Sequence, residues 1–228
     1  MNRGYYFCIC LLLILALPWF AFSRQPEQTE AETFSTLPPA EPTVPAADNV
    51  FYIPNAPVAL WGLGDYEGEF LEENSDEPVQ CACLVLENTG VQMLEYVRIR
   101  LKEMVFEATC IPPGEKVLVL EKNKCDFSLR PMDLAVCEEY RYGEKSTQNS
   151  VYVSADGLRD LIVTNLTEEP LPSVQIRYKQ YSPEAGLYWG GITYTAEVLA
   201  LQPGESRCIT PYRFLTDQGR IIDVSVNK

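Results

Sequence analysis

Apolar and polar residues alternate along this chain with a period of two, the signature of half-buried strands. Ala82, Leu84, Leu86 and Asn88 stand against Cys81, Cys83, Val85 and Glu87, and Val97, Ile99 and Leu101 stand against Tyr96, Arg98, Arg100 and Lys102. The pattern predicts strands over 58–63, 81–88, 96–102, 103–110, 116–121 and 134–142. A second series is predicted over 151–153, 158–165, 173–181, 192–199, 205–210 and 221–226. Turn residues punctuate them, notably Asn88-Thr89-Gly90 and Pro112-Pro113-Gly114-Glu115, where Asn and Gly tolerate positive φ. No long segment holds a 3.6-residue period. Many short strands with regular turns point to β-sandwiches.

The two series are copies. LVLENTGVQMLEYVRIRLK at 84–102 returns without a gap as LIVTNLTEEPLPSVQIRYK at 161–179. The offset is 165 − 88 = 77, and it pairs Leu84 with Leu161, Asn88 with Asn165, and Arg100 with Arg177. Pro113-Gly114-Glu115 is answered by Pro203-Gly204-Glu205 at an offset of 203 − 113 = 90. The second copy therefore carries 90 − 77 = 13 additional residues between these landmarks. They fall near YSPEAGLYWGGITY at 181–194, which reads as a longer hairpin with Gly186 and Gly190-Gly191 at its tip. An internal repeat implies one structural unit per copy.

The succession of strand, Asn turn, amphipathic strand and Pro-Gly-Glu turn resembles the immunoglobulin-like or fibronectin-III-like modules of bacterial exported proteins. The second copy is similar to the FxLYD-type domain through Val163-Thr164-Asn165, Tyr181 with Gly186, and Leu201-Gln202-Pro203-Gly204-Glu205. In the first copy Cys110-Ile111-Pro112-Pro113-Gly114-Glu115 departs from that form. The resemblance implies a fold and brings no catalytic residues with it. The expected class is all-β: two tandem immunoglobulin-like β-sandwich domains, over 56–146 and 147–228, behind an N-terminal apolar helix and a disordered Pro-rich spacer.

The N-terminus accounts for the rest of the chain. An apolar run over 4–22 follows Arg3 and is broken by Pro18, and Ala21 and Ser23 supply small residues for cleavage after Ser23. Residues 1–23 fit a signal peptide or a membrane anchor, and both predict export. Residues 24–55, rich in Pro, Glu and Thr, have too few large apolar groups to offset ordering entropy and read as a spacer. The acidic stretches at 65–69 and 72–77 read as solvated loops rather than calcium ligands.

Chemistry is limited by what is missing. The net charge of −14 disfavours nucleic acid and anionic membrane surfaces, so the membrane is expected only through the N-terminal segment. No histidine is present, which removes the usual general base and the usual zinc ligand. A non-enzymatic envelope module without cofactor is expected, its partner an unidentified protein or glycan of the cell envelope. Tyr181, Tyr188, Trp189 and Tyr194 are the candidate contact residues, because Tyr and Trp give large rigid contact area; core packing is the competing reading. Cys81, Cys83, Cys110, Cys125, Cys137 and Cys208 are candidates for disulfides, reduced thiols or a weakly patterned thiolate metal or redox site in the first copy. No metal ligands are assigned. A purely structural spacer is the alternative function.

Overall fold

The computed structural model of the chain describes residues 50–72, 78–128, 131–143 and 149–227. They form thirteen strands: β1 (Phe51–Tyr52), β2 (Val58–Glu69), β3 (Pro78–Asn88), β4 (Leu94–Leu101), β5 (Met104–Ile111), β6 (Lys116–Leu120), β7 (Ala135–Tyr142), β8 (Val151–Asp156), β9 (Asp160–Asn165), β10 (Leu171–Ser182), β11 (Leu187–Leu201), β12 (Ser206–Ile209) and β13 (Gly219–Asn227). The all-β expectation holds: among the described residues there is no α-helix, and none of them forms a helix long and apolar enough to cross a membrane. The apolar run at 1–23, the spacer over 24–49 and the boundary at 146/147 lie outside the described residues. The last part of the expected spacer is structured: β1 pairs with Ala59 and Leu60, and Ile53 is buried.

The two halves repeat one topology. In the first, β2-β3-β6 form one sheet and β5-β4-β7 the other; in the second, β8-β9-β12 and β11-β10-β13 take the same places. Leu60, Leu84, Leu86, Val117 and Val119 from one sheet meet Val97, Ile99, Leu101 and Phe106 from the other in the first core. Leu161, Val163, Val174, Ile176 and Leu201 do the same in the second. These are the apolar positions of the period-two pattern, so each sheet turns its apolar face inward. In the first half the pattern continues on the outer face of β2-β3-β6, where Tyr66, Cys81, Cys83, Val85, Leu118 and Leu120 are also buried.

The duplicated turn repeats bond for bond. Asn88 Nδ2 donates to the carbonyls of Gln92 and Ile111, and its Oδ1 accepts from Gly90 N. Asn165 Nδ2 donates to the carbonyls of Glu169 and Leu201, and its Oδ1 accepts from Thr167 N. Each Asn also exchanges backbone bonds with its own Pro-Gly-Glu turn: Glu115 and Gly114 in one copy, Glu205 and Gly204 in the other. Gly114 and Gly204 take positive φ (74° and 68°), as do Cys110 and Ala200 (49° and 52°). Both Asn side chains are fully buried, so the formal glycosylation sequence at 165–167 closes a turn, its amide nitrogen already bonded twice. Removing either side chain takes a donor from one buried carbonyl, that of Ile111 or Leu201, and opens the turn that the second bond closes. Asn88→Ala and Asn165→Ala are each expected to cost about 2–4 kcal/mol, read as a lowered urea midpoint at unchanged slope.

Candidate functional site

The most elaborate side-chain chemistry lies where the halves meet, and the 13 additional residues of the second copy build it. They lengthen β10 and β11 into a hairpin whose turn lies between Ser182 and Leu187. Gly186 (φ 65°) is in that turn. Gly190 and Gly191 are not at the tip, as expected, but inside β11. There Tyr188 and Trp189 pair in parallel with Val117 and Leu118 of β6. One seven-stranded sheet, β1-β2-β3-β6-β11-β10-β13, thus runs through both halves.

Close approach explains the glycines. A Cβ on Gly191 would stand 2.0 Å from the Glu107 carbonyl oxygen of β5, and one on Gly190 would stand 3.1 Å from Leu71, with φ at 77° besides. Only a residue without a side chain lets β11 pass this close to the first half.

A buried ammonium and a half-buried carboxylate bracket the same peptide. Glu72 accepts hydrogen bonds from Gly191 N (2.7 Å) and Ile192 N (3.0 Å) of β11 and from Leu120 N (2.9 Å) of β6. From β10, Lys179 Nζ donates to the carbonyls of Ile192 (2.7 Å), Gly191 (2.9 Å) and, in the first half, Thr109 (3.2 Å). Burial pushes the Lys179 ammonium down to about 8, against the attraction of Glu72. Burial likewise raises Glu72, opposed by its backbone donors and by Lys179. The acidic run at 72–77 was expected to be solvated throughout; its first residue is instead drawn inward by the amides of Leu120, Gly191 and Ile192. Residues 73–77 lie outside the described residues. Beside Glu72 is a cavity of about 130 Å³ lined by Phe70, Glu72, Glu107, Leu120, Lys122 and Ile192.

A second polar bridge flanks the first. Arg177 of β10 donates to both carboxylate oxygens of Glu95 on β4 (2.7 and 2.9 Å), to Asp223 on β13 (2.8 Å) and to the Cys110 sulfur (3.3 Å). Thr109 and Thr193 share a hydrogen bond at 2.9 Å. Arg213 adds an ion pair to Glu69 at 3.3 Å. Neither Glu72 nor Lys179 carried a signal as a site residue in the sequence; their one trace was that Lys179 sits next to the insertion.

The candidate aromatics are brought to this join and mostly covered by it. Tyr188 is buried in the first half's core, where half-buried Tyr181 packs edge-on against it. Trp189 packs against the outer cluster of the first half. Tyr194 lies in the second core, stacked on Tyr178. Only the turn over 183–186 is exposed. Tyr188 and Tyr194 therefore present no exposed aromatic edge: Tyr188, with half-buried Tyr181 and Trp189, packs on the first half, and Tyr194 fills the core of its own half.

Among the described residues all six cysteines are free. Cys81 and Cys83 share one face of β3, and burial pushes their thiols up to about 11 and about 12. Burial also raises Cys110 and Cys137, while Cys208 is exposed on β12. Among the described residues no group of three or more His, Cys, Asp or Glu is placed to hold a metal ion. No protein-family model, curated protein or solved structure matches the chain.

Removing the Lys179 ammonium takes a donor from the Gly191, Ile192 and Thr109 carbonyls and a nearby positive charge from Glu72. Lys179→Met is expected to cost about 3–5 kcal/mol, and Gly191→Ala about 1–3 kcal/mol or more by overpacking, both read by urea denaturation. Tyr188→Ala should cost about 3–5 kcal/mol as a core truncation. Lys179 also predicts a pH dependence. Its folded value of about 8 lies below the ordinary 10.5, so between these pH values the unfolded chain holds a proton that the folded one has released. Stability from this group rises with pH across that window and is flat below it. The difference in unfolding free energy between the native chain and the Lys179→Met variant, followed from pH 7 to 10.5, should show that rise.

Proposed function

We propose that this chain is a non-enzymatic module of the cell envelope, exported by its N-terminal segment, in which two immunoglobulin-like sandwiches are fused into one stiff unit that spaces or presents other components. The immunoglobulin-like reading is supported by strand order. In each half the first, second and fifth strands form one sheet and the third, fourth and sixth the other, the strand exchange between facing sheets that such sandwiches share.

One observation carries the functional reading. Arg177, Lys179, Tyr188 and Trp189 are the residues of the second half richest in binding chemistry, and all are engaged by the first half. A joint built from a shared sheet, a buried ammonium, a half-buried carboxylate and close backbone contact resists bending, whereas domains that move rest on small polar interfaces. The raised thiols weigh against the metal or redox alternative, since the thiolate is the ligand and nucleophile. With a net charge of −14, the envelope partner is a protein or glycan and not a nucleic acid.

Stiffness is the testable part. Spin labels at exposed Val91 and Leu166, in a background where Cys8, Cys10, Cys125, Cys137 and Cys208 are Ser, report the distance between the halves. The native joint should give one narrow distribution, and Gly191→Val should broaden it. A broad distribution in the native joint would remove the basis for a spacer.

A further inference from the structure

Twelve large apolar side chains stand exposed among the described residues, and four of them, Leu134, Val136, Tyr140 and Tyr142, fall between positions 134 and 142. That stretch is β7 with the residue before it. β7 ends the sheet β5-β4-β7, and among the described residues its other side has no strand partner. It is eight residues long, AVCEEYRY, and contains no Pro, Gly or Lys. Edges that avoid association are shortened or carry Pro, Lys or a charge pointing inward. β7 has neither Pro nor Lys, although Glu138, Glu139 and Arg141 lie along it and its register against β4 is irregular at two places, between Leu94 and Tyr96 and between Arg98 and Ile99. Of the other end strands, β1 has two residues, β8 six and β12 four, and β5, eight residues long, has no exposed residue. The nine-residue β13 has a single exposed large apolar residue, Ile221.

The two faces of β7 differ. Tyr140 lies opposite Val97 and Tyr142 opposite Leu94, so both rings continue the core-facing side past the last strand, in contact at 5.6 Å. On the solvent face Glu139 lies opposite Arg98, and Arg141 covers the Tyr96 ring at 5.0 Å. Glu139 and Arg141 flank Tyr140 and pair with each other at 3.3 Å within the strand, both more than half exposed; the segment Glu-Tyr-Arg is complementary to itself read backwards, so a second copy exchanges that contact for one across the strands.

We propose that β7 is the surface on which a second copy of this chain docks, the two β7 strands running antiparallel about a twofold axis at Tyr140. Such an axis stands perpendicular to the sheet and sets one residue opposite its own counterpart. Centring on Glu138, Glu139 or Arg141 puts like charges face to face, which is destabilising. Centring on Tyr140 instead sets Glu139 opposite Arg141 of the second copy, twice by symmetry, and brings the two Tyr140 rings together on the apolar side. Edge pairing of one short strand buries less than the ~1,200 Å² of a stable interface, so the dimer is weak and forms as concentration rises.

The full chain in a mild detergent, followed by light scattering across concentration, tests this. Glu139→Arg or Arg141→Glu alone should weaken dimerisation by about tenfold or more, and the double exchange should restore it to within about threefold. Tyr140→Cys should yield a 140–140 disulfide identified by mass spectrometry, with circular dichroism confirming that each variant is folded. A chain that stays monomeric at every concentration, a dimer indifferent to both single reversals, or one cross-linked only through other positions would overturn the proposal.

Discussion

The peptide between Gly191 and Ile192 is held from both sides, its neighbouring N–H groups by Glu72 and its neighbouring carbonyls by Lys179. A charge taken out of water is tolerated only when its hydrogen-bonding capacity is met. Here each charge meets that condition through the same stretch of β11. The dependence runs both ways: the strand stays because the charges need its amides, and the charges stay because the strand is there. The fit requires a backbone close enough for Glu72 to reach, which the missing side chain of Gly191 permits. The shared sheet and the seating of Tyr188 in the first core follow from that approach.

Duplication explains why a joint of this kind arises in the second copy alone. Lys102 and Lys179 are equivalent at the 77-residue offset, as are Arg100 and Arg177. In the first copy Lys102 occupies an exposed turn with φ at 55°, and Arg100 bonds Glu138 on its own sheet. In the second the additional residues carry the strand on past that point, Lys179 becomes buried, and Arg177 reaches across to Glu95. The accepting surface has diverged too. Leu118 and Cys208 are equivalent at the 90-residue offset, yet Leu118 is buried in the cluster that Leu187 and Trp189 complete, while Cys208 is exposed. One frame thus serves as donor in one copy and as acceptor in the other.

Much of this was legible in the residues. The period-two alternation located the strands and the repeat located the equivalent turns; Asn88 and Asn165 do open turns, but through a side-chain bond to the N–H two residues on and not through the positive φ expected of them, which neither takes. The insertion was visible as a change of offset. Its role was not, because alternation within one strand says nothing about which other strand lies alongside. Gly190-Gly191 looks the same in sequence whether it makes a hairpin tip or a strand that another backbone crowds. Glu72 begins an acidic run, and such runs are normally solvated; only the proximity of three unpaired amides, a tertiary fact, reverses that. The aromatics of 181–194 were read as contact residues on composition, and composition does not distinguish a surface for another molecule from a surface for the neighbouring copy.

Amide hydrogen exchange at Gly191 and Ile192 tests the central interaction most directly. If Glu72 and the first half close over these two groups, they exchange only by global unfolding, with protection equal to that of the core amides of β3 and β9. Exchange at the rate of the exposed turn over 183–186 would mean that the hairpin lies loosely on the first half and that the joint described here does not hold.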